Sequence, residues 1–209
     1  MNWKWQEKIY IFDDVVDSET QEKLKSWLLG GQFPNHFPWW YAKDITSAGS
    51  TDARPAMKHF FMHHGKVTSN QDLSLINQLL SASLQRLFEQ TQQKATYELF
   101  NSRTFLQFPL NNLSGPKADS AHVDTMKFRH LSILYYVIDS DGETIIYDQL
   151  FSTKNTTKPN VDKLTIKQKV MPKQGRVVIF DGFHWHTASQ PRNNIRCVIN
   201  SNVIASPPQ

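Results

Sequence analysis

The sequence contains a single cysteine, Cys197, among its 209 residues. One thiol cannot form an internal disulfide, and it excludes a metal site built from several cysteines. Long apolar runs are also missing. No stretch approaches the roughly 20 apolar residues needed to span a bilayer, and residues 1–14 lack the apolar core of a signal peptide. These absences predict a cytoplasmic protein with no membrane partner.

Charge is only weakly unbalanced, with 23 basic against 19 acidic residues and a formal net charge of +4. The excess is spread along the chain, so no nucleic-acid partner is expected, whereas an anionic substrate is compatible with it. Repeats, low-complexity tracts and linkers are absent as well. A chain of this length suits one well-buried domain. We therefore predict a single domain over residues 1–209 and leave its oligomeric state open.

The first half of the sequence carries two helix patterns. One follows Asp17, a favourable N-cap, and the other covers Asn70 to about Gln93, where apolar residues recur every three or four positions. Between them, residues 32–54 are rich in Pro, Gly and aromatic residues and include Phe37–Tyr41. We interpret them as a long surface loop, which either packs through its rings or lies over the mouth of a substrate pocket.

The second half has a strand-like composition. One or two strands are predicted between Ala95 and Phe108. Other short strands are predicted at 8–12, 131–138, 144–147, 163–171, 176–180 and 195–203. The fold class is therefore mainly β with flanking helices, a jelly roll (double-stranded β-helix) backed by N-terminal helices. Residues 1–94 would supply the helical support and the substrate-side loop, and residues 95–209 the jelly-roll core.

A candidate metal site begins at His122 and Asp124. Residues two apart in an extended chain point the same way, and an imidazole nitrogen with a carboxylate oxygen suits a divalent transition metal. A third ligand must come from elsewhere. His184 and His186 follow a predicted strand at a tight turn, and either can turn back toward the first two ligands.

Arg196 lies ten positions after His186, within an apolar segment. An inward-pointing guanidinium there would need an anion; alternatively, Arg196 points to solvent or pairs with a carboxylate. Cys197 is interpreted as a small buried strand residue and not as a nucleophile. The remaining histidines are interpreted as structural or surface residues: His36, His59, His63, His64 and His130.

Together, His122, Asp124, His186 and Arg196 resemble the signature of the Fe(II)/2-oxoglutarate-dependent dioxygenases. The resemblance is greatest to the prolyl-4-hydroxylase-like branch and its phage and marine-microbe relatives. It is specific over about Thr104 to Val203, and the first hundred residues match only loosely.

The resemblance implies that His122, Asp124 and His186 bind Fe(II) and leave three coordination positions for 2-oxoglutarate and O2. It implies that Arg196 binds the far C5 carboxylate of 2-oxoglutarate. Ser132 and Tyr136 would hydrogen-bond the same carboxylate, with Leu134 lining the pocket. The alternative for Tyr136 is a plain core aromatic.

The implied reaction is oxidative decarboxylation of 2-oxoglutarate to succinate and CO2, coupled to hydroxylation of a peptidyl, possibly prolyl, or small-molecule substrate. Ascorbate would be a supporting reductant. Asp124 argues against a halogenase, in which a small residue replaces the carboxylate. Asn202 argues against a nucleic-acid demethylase, which carries a second arginine at that position.

Two further alternatives stay open. A cupin-like metal- or ligand-binding jelly roll would use His184 and His186 as paired ligands, although the glutamate that a cupin places nearby is missing. A binding protein that has the fold without the chemistry is disfavoured, because all four positions of the signature are present.

Overall fold

The computed structural model describes residues 4–6, 8–30, 36–45, 54–68, 73–110, 118, 120–154 and 159–206. Within these ranges the chain forms two α-helices, α1 (Ser18–Leu29) and α2 (Ser74–Thr91), and eleven strands. The strands are β1 (Tyr10–Phe12), β2 (Trp40–Ala42), β3 (Ala56–His63), β4 (Lys66–Val67), β5 (Thr96–Gln107), β6 (Leu131–Tyr136), β7 (Thr144–Leu150), β8 (Ile166–Val170), β9 (Val177–Asp181), β10 (His184–Ala188) and β11 (Arg196–Ser206).

The strands form two antiparallel sheets. The larger has the order β1-β9-β6-β11-β5-β3-β2, with β4 paired to β3, and the smaller has the order β10-β7-β8. The predicted mainly β fold with flanking helices is confirmed. Neither helix of the described residues is long and apolar enough to cross a bilayer.

Side chains alternate along each strand, and each of the two faces of the larger sheet carries an apolar cluster. One face packs against the helices in a cluster that includes Leu24, Leu28, Leu79, Ile133, Tyr135 and Ile179. The other face packs against the smaller sheet in a cluster of Leu134, Tyr136, Ile146, Val170, Val178, Phe180 and Val198. The cavity described below opens on this second, inward face.

Strand β11 lies between β5 and β6 and carries much of the site. It pairs with β5 from Arg196 opposite Gln107 to Ser206 opposite Thr96. The register shifts after Asn202. Asn202 lies opposite Asn101, but the next residue, Val203, lies opposite Leu99, so Phe100 has no partner on β11 in this pairing. This irregularity is a β-bulge.

The N-terminal segments differ from the sequence-based predictions. The strand near 8–12 is confirmed as β1, and the first helix begins as predicted, with Asp17 accepting a 2.7 Å hydrogen bond from the Thr20 backbone. Strand β3 was not predicted, because its apolar residues alternate imperfectly and several are only half-buried. Within the predicted loop, residues 40–42 form β2, while residues 32–35 and 46–53 lie outside the described residues.

Candidate metal centre

The structure brings together the three predicted ligands. One ligand atom from each of His122, Asp124 and His186 lies within 4.8 Å of the other two. His122 Nε2 is 4.0 Å from Asp124 Oδ1, and His186 Nε2 is 3.8 Å from Asp124 Oδ2. Two imidazoles and one carboxylate on a common point form the donor set that non-haem Fe(II) takes as a facial triad. The residues present therefore fit a ferrous ion.

The two histidines are oriented by the backbone. An isolated antiparallel bridge joins them, and their ring centroids are 4.6 Å apart. His122 Nδ1 lies 3.2 Å from the carbonyl of Ser120, and His186 Nδ1 lies 2.9 Å from the carbonyl of His184. A carbonyl only accepts, so each Nδ1 carries the hydrogen and each Nε2 offers its lone pair to a metal. Burial also lowers the pKa of His186 to about 4, so it is neutral near pH 7.

The side chain of Asp124 is inaccessible to solvent and surrounded by donors. Its Oδ2 accepts from Asn202 Nδ2 at 2.8 Å and from Ser132 Oγ at 3.1 Å. Asn200 Nδ2 lies 3.2 and 3.3 Å from the two carboxylate oxygens, and Arg103 Nη2 donates to Oδ1. Burial by itself would raise the pKa of Asp124, but the Arg103 charge and the triad histidines outweigh it and hold that pKa well below its usual range. The carboxylate is therefore ionised and fixed.

His184 takes a different position. It begins β10, and its Nδ1 donates to the carbonyl of Tyr147 at 2.7 Å. Among the described residues, the group that can hold a metal contains His186 and does not contain His184. The geometry thus favours the predicted choice of His186 as the third ligand.

Arg196 is buried and is held by three hydrogen bonds to uncharged oxygens. Its Nε donates to Gly142 O at 2.9 Å, Nη1 to Gln107 Oε1 at 2.7 Å and Nη2 to Thr144 Oγ1 at 3.0 Å. Tyr136 is also close. Its hydroxyl donates to Thr144 Oγ1 at 2.7 Å, and its ring centroid lies 5.9 Å from the guanidinium carbon. Tyr136 therefore supports the arginine through Thr144.

The turn before β7 fixes the carbonyl that Arg196 contacts. The Asp141 carboxylate accepts from the backbone N–H groups of Arg192 and Asn193 at 3.2 and 3.0 Å. A Cβ atom at Gly142 would lie 2.8 Å from Ser189 O and 2.9 Å from Arg196 Cδ. Only glycine fits here without displacing one of them.

A cavity of about 340 Å³ connects the two histidines of the triad to Arg196. His122 and His186 line one part, and Gln107, Thr144 and Arg196 line another. Its apolar walls come from Phe105, Leu134 and Val198. The side chain of His122 is 46% exposed, whereas the Asp124 carboxylate is inaccessible, so the cavity opens to solvent on the His122 side.

Ser132 does not lie where the family resemblance placed it. Ser132 pairs with Asn202 of β11 and Tyr136 pairs with Val198, so the two are separated by four residues, about 13 Å of strand. Ser132 donates a hydrogen bond to Asp124 and lies behind the candidate metal ligands, not beside Arg196. Strand alternation places Ser132 and Tyr136 on the same face of β6, but a shared face does not bring residues four positions apart to the same end of the site.

Five further residues of the site were not predicted as site residues. They are Arg103, Gln107, Thr144, Asn200 and Asn202. A usable signal was present in β11, where Arg196, Val198 and Asn200 line the cavity and Asn202, on the same face, contacts Asp124. Three of these four residues are polar, and buried polar residues that recur on one face of a strand indicate a lined site. The site residues of β5, Arg103 and Gln107, could be recognised only from the pairing register of β5 with β11, which the sequence does not show.

Neither the family models nor the curated proteins compared with this sequence match it. Solved structures do match. The chain superposes on a 2OG-Fe(II) oxygenase family oxidoreductase from Burkholderia pseudomallei with a TM-score of 0.63 and 12% identity, over 93% of this chain and 84% of that one. The chain has the jelly-roll fold of the 2OG-Fe(II) oxygenases.

Two other structures agree with this fold. The viral collagen prolyl hydroxylase of Paramecium bursaria Chlorella virus-1, solved with 2OG, gives a TM-score of 0.54 and 12% identity over 95% of this chain and 96% of that one. The non-haem α-ketoglutarate-dependent epimerase SnoN from nogalamycin biosynthesis gives a TM-score of 0.61 and 12% identity, over 96% of this chain and 81% of that one. The jelly-roll prediction is confirmed, and the oxygenase fold includes neighbours with different reaction outcomes.

Proposed function

We propose that the protein is an Fe(II)- and 2-oxoglutarate-dependent oxygenase that hydroxylates a C–H bond of a peptidyl or small-molecule substrate. One observation carries this proposal: both histidines of a two-histidine, one-carboxylate group and a buried arginine line the same cavity. The triad suits Fe(II). A planar guanidinium at the other end suits the distal carboxylate of a dicarboxylic acid.

His122, Asp124 and His186 would hold the iron, and Arg196 would bind the C5 carboxylate of 2-oxoglutarate. Tyr136 and Thr144 would position Arg196, and Ser132 would orient Asp124. When bound, iron and 2-oxoglutarate supply the oxidation of a C–H bond at the expense of O2, with release of succinate and CO2. Ascorbate would be a supporting reductant.

The chain itself contributes orientation and apolar walls. Phe105, Leu134 and Val198 line the cavity that also holds the two histidines and Arg196, and a low local dielectric there would strengthen charge interactions with a bound ligand. The open His122 side is left for the substrate. The single buried cysteine supports the proposed cytoplasmic location.

The cupin-like alternative is less well supported. It uses His184 and His186 as paired ligands, but His184 Nδ1 is hydrogen-bonded to Tyr147 and the side chain is not part of the metal-binding group. It also gives no role to Arg196 at the far end of the same cavity. Hydroxylation is the default outcome, because Asp124 leaves no room at the metal for a halide.

Anaerobic protein with Fe(II) and 2-oxoglutarate tests the proposal. We expect a weak visible charge-transfer band in the wild type. His186→Ala should abolish it, whereas His184→Ala, the matched control two residues away, should keep it. Arg196→Met should weaken 2-oxoglutarate binding without removing the metal. If wild-type protein loaded with Fe(II) does not bind 2-oxoglutarate, the proposed function is wrong and the cupin-like alternative gains.

A further inference from the structure

Arg103 is a feature of the cavity that the proposed function leaves without a role. It lies on β5, lines the cavity and has a 19% exposed side chain. Its Nη2 contacts Asp124 Oδ1, and its guanidinium carbon lies 5.4 Å from the Phe105 ring centroid. Its Nε is buried and has no hydrogen-bond partner among the described residues. Arg103 is thus a cation within the cavity that has donor capacity to spare.

The contact with Oδ1 matters because the two oxygens of Asp124 are not equivalent. Oδ2 holds close hydrogen bonds from Asn202 at 2.8 Å and Ser132 at 3.1 Å. Asn200 Nδ2 lies 3.3 Å from Oδ2 as well, so Oδ2 has three side-chain contacts, whereas Oδ1 has two, from Arg103 and from Asn200 at 3.2 Å. An oxygen whose lone pairs are already used has less to offer a metal. Oδ1 is therefore the oxygen open to a metal ion, and Arg103 occupies that approach.

A divalent cation bound at Oδ1 would repel the guanidinium strongly at this range. The histidine ligands are fixed by backbone hydrogen bonds, whereas Arg103 is attached by a flexible stem. The arginine is the group that moves. Its Cα stays in place, because β5 is paired with β11 on one side and β3 on the other. Metal binding would therefore release the Arg103 guanidinium without removing it from the cavity.

The charges in the loaded site do not balance. Among the described residues that line the cavity, the arginines and lysines are Arg103 and Arg196. With a ferrous ion they carry four positive charges, against three negative charges on Asp124 and 2-oxoglutarate. One positive charge remains. Arg103 is the cation nearer the open end, because it contacts Asp124 Oδ1, which lies 4.0 Å from Nε2 of the exposed His122.

We propose that Arg103 recognises the primary substrate, and that this substrate is a small carboxylic acid. The released guanidinium would hold the carboxylate with two parallel hydrogen bonds, beside the ring of Phe105. A neutral substrate would leave the surplus charge unpaired in a largely buried site. This inference rests on the proposed function, because the metal ion is what frees Arg103.

Binding measurements on the full chain test this inference. The protein is loaded with Mn(II) and the co-substrate analogue N-oxalylglycine, and calorimetry follows the binding of matched acid and amide pairs. The probes are the N-acetyl derivatives of proline, leucine, phenylalanine and lysine, each as the free acid and as the primary amide. The variants are Arg103→Met and Arg103→Lys. Lys58→Met is the matched control, because it removes a positive charge two strands away from β11.

In the loaded wild type, the best acid should bind at least about tenfold more tightly than its amide. The preference should disappear in Arg103→Met, persist in part in Arg103→Lys and be unchanged in Lys58→Met. It should also be absent from metal-free wild type, in which Arg103 pairs with Asp124. Equal binding of acids and amides to the loaded wild type would overturn the inference, as would a preference that survives in Arg103→Met.

The same experiment separates this inference from the proposed function. Failure of N-oxalylglycine to bind the Mn(II)-loaded wild type contradicts the proposed function. The acid and amide pairs, measured on the Mn(II)-loaded protein without the analogue, still decide the role of Arg103. If Arg103→Met does not fold, Arg103→Lys provides the comparison, because it keeps the charge but cannot form two parallel hydrogen bonds.

Discussion

His122 and His186 exchange both of their backbone hydrogen bonds. His122 N–H donates to His186 O at 2.9 Å, and His186 N–H donates to His122 O at 3.0 Å. This pair joins the segment before β6 to β10, two parts of the chain 64 residues apart. The ligand positions are consequently set by the main chain, and the side chains do not have to hold the two segments together.

Removal of the His122 imidazole should therefore separate metal binding from folding. His122→Ala keeps both backbone hydrogen bonds, and the side chain it removes is 46% exposed. We expect metal affinity to fall by about 100-fold or more, because one of three ligands is lost, with little change in melting temperature for the metal-free protein. Zn(II) titration and thermal unfolding measure the two effects. A large loss of stability would show that the side chain holds the segments together.

Asn202 should orient the metal-binding carboxylate. Its Nδ2 donates to Asp124 Oδ2 at 2.8 Å, and groups that hydrogen-bond metal ligands typically contribute about 10- to 100-fold to metal affinity. We expect Asn202→Ala to weaken Zn(II) binding by that factor. Asn101→Ala is a matched control, because Asn101 lies opposite on β5 and its side chain bonds the His64 backbone. An equal loss of Zn(II) affinity in both variants would indicate general destabilisation and not a specific effect on Asp124.

Gly142→Ala should weaken 2-oxoglutarate binding and leave metal binding intact. The added Cβ would lie 2.9 Å from Arg196 Cδ and 2.8 Å from Ser189 O, so it would displace the arginine or the turn. We expect the dissociation constant for 2-oxoglutarate to rise by about tenfold, the effect of losing one charge-assisted hydrogen bond. Zn(II) affinity is the internal control. Its loss in the variant would contradict the separation of the cavity into a metal-binding end and an Arg196 end.

The metal-free protein should lose stability as the pH falls below neutrality. Burial lowers the pKa of His186 to about 4, and it also lowers the pKa values of His130 and His184. Unfolded histidines titrate near 6.5, so the unfolded chain takes up protons between about pH 6.5 and 4 that the folded state does not. Above about pH 7 the histidines are neutral in both states, and the protein has its full stability with respect to them. His186 alone should lower the free energy of unfolding by roughly 2 kcal/mol at about pH 5.

Urea unfolding at about pH 7.5 and pH 5 measures this dependence. Carboxylates in the unfolded chain titrate near pH 4, mostly below this window, so the change reports mainly on the histidines. The same free energy of unfolding at both pH values would contradict the assigned burial of these rings.

Cys197 should be inert in the native protein. It is 1% exposed, and burial raises its pKa to about 12, so the thiolate is scarce at ordinary pH. We expect no iodoacetamide labelling of folded protein at about pH 8, and complete labelling in urea, as detected by mass spectrometry. Rapid labelling of the folded protein would place the thiol at the surface.

The sequence was sufficient to predict that His122, Asp124 and His186 come together, because they lie in segments with a strong local pattern. His122 and Asp124 precede a six-residue strand that is buried throughout. His186 is followed ten residues later by Arg196, the spacing of the family signature. Pattern alone could not locate Ser132 or Arg103. Their roles depend on which residues lie opposite each other across β5, β6 and β11, and strand register is a property of tertiary pairing.

The N-terminal third shows the same limit. The helices were predicted because their apolar residues follow a clear helical period, and β1 because it is short and apolar. Strand β3 is recognisable only through its partner β5, along which Ala56 to Met62 pair. Half-buried strands that extend a sheet carry little alternation of their own.

The bulge at Phe100 bears on how this pocket can change in evolution. Because side chains alternate along a strand, one inserted or deleted residue within the paired stretch from Arg196 to Asn202 would turn every cavity-lining residue beyond it to the helix side. The bulge lies just past Asn202 and already absorbs an extra residue. Length variation among homologues is therefore expected on the Thr96 side of Phe100, while new specificities within the pocket arise by substitution.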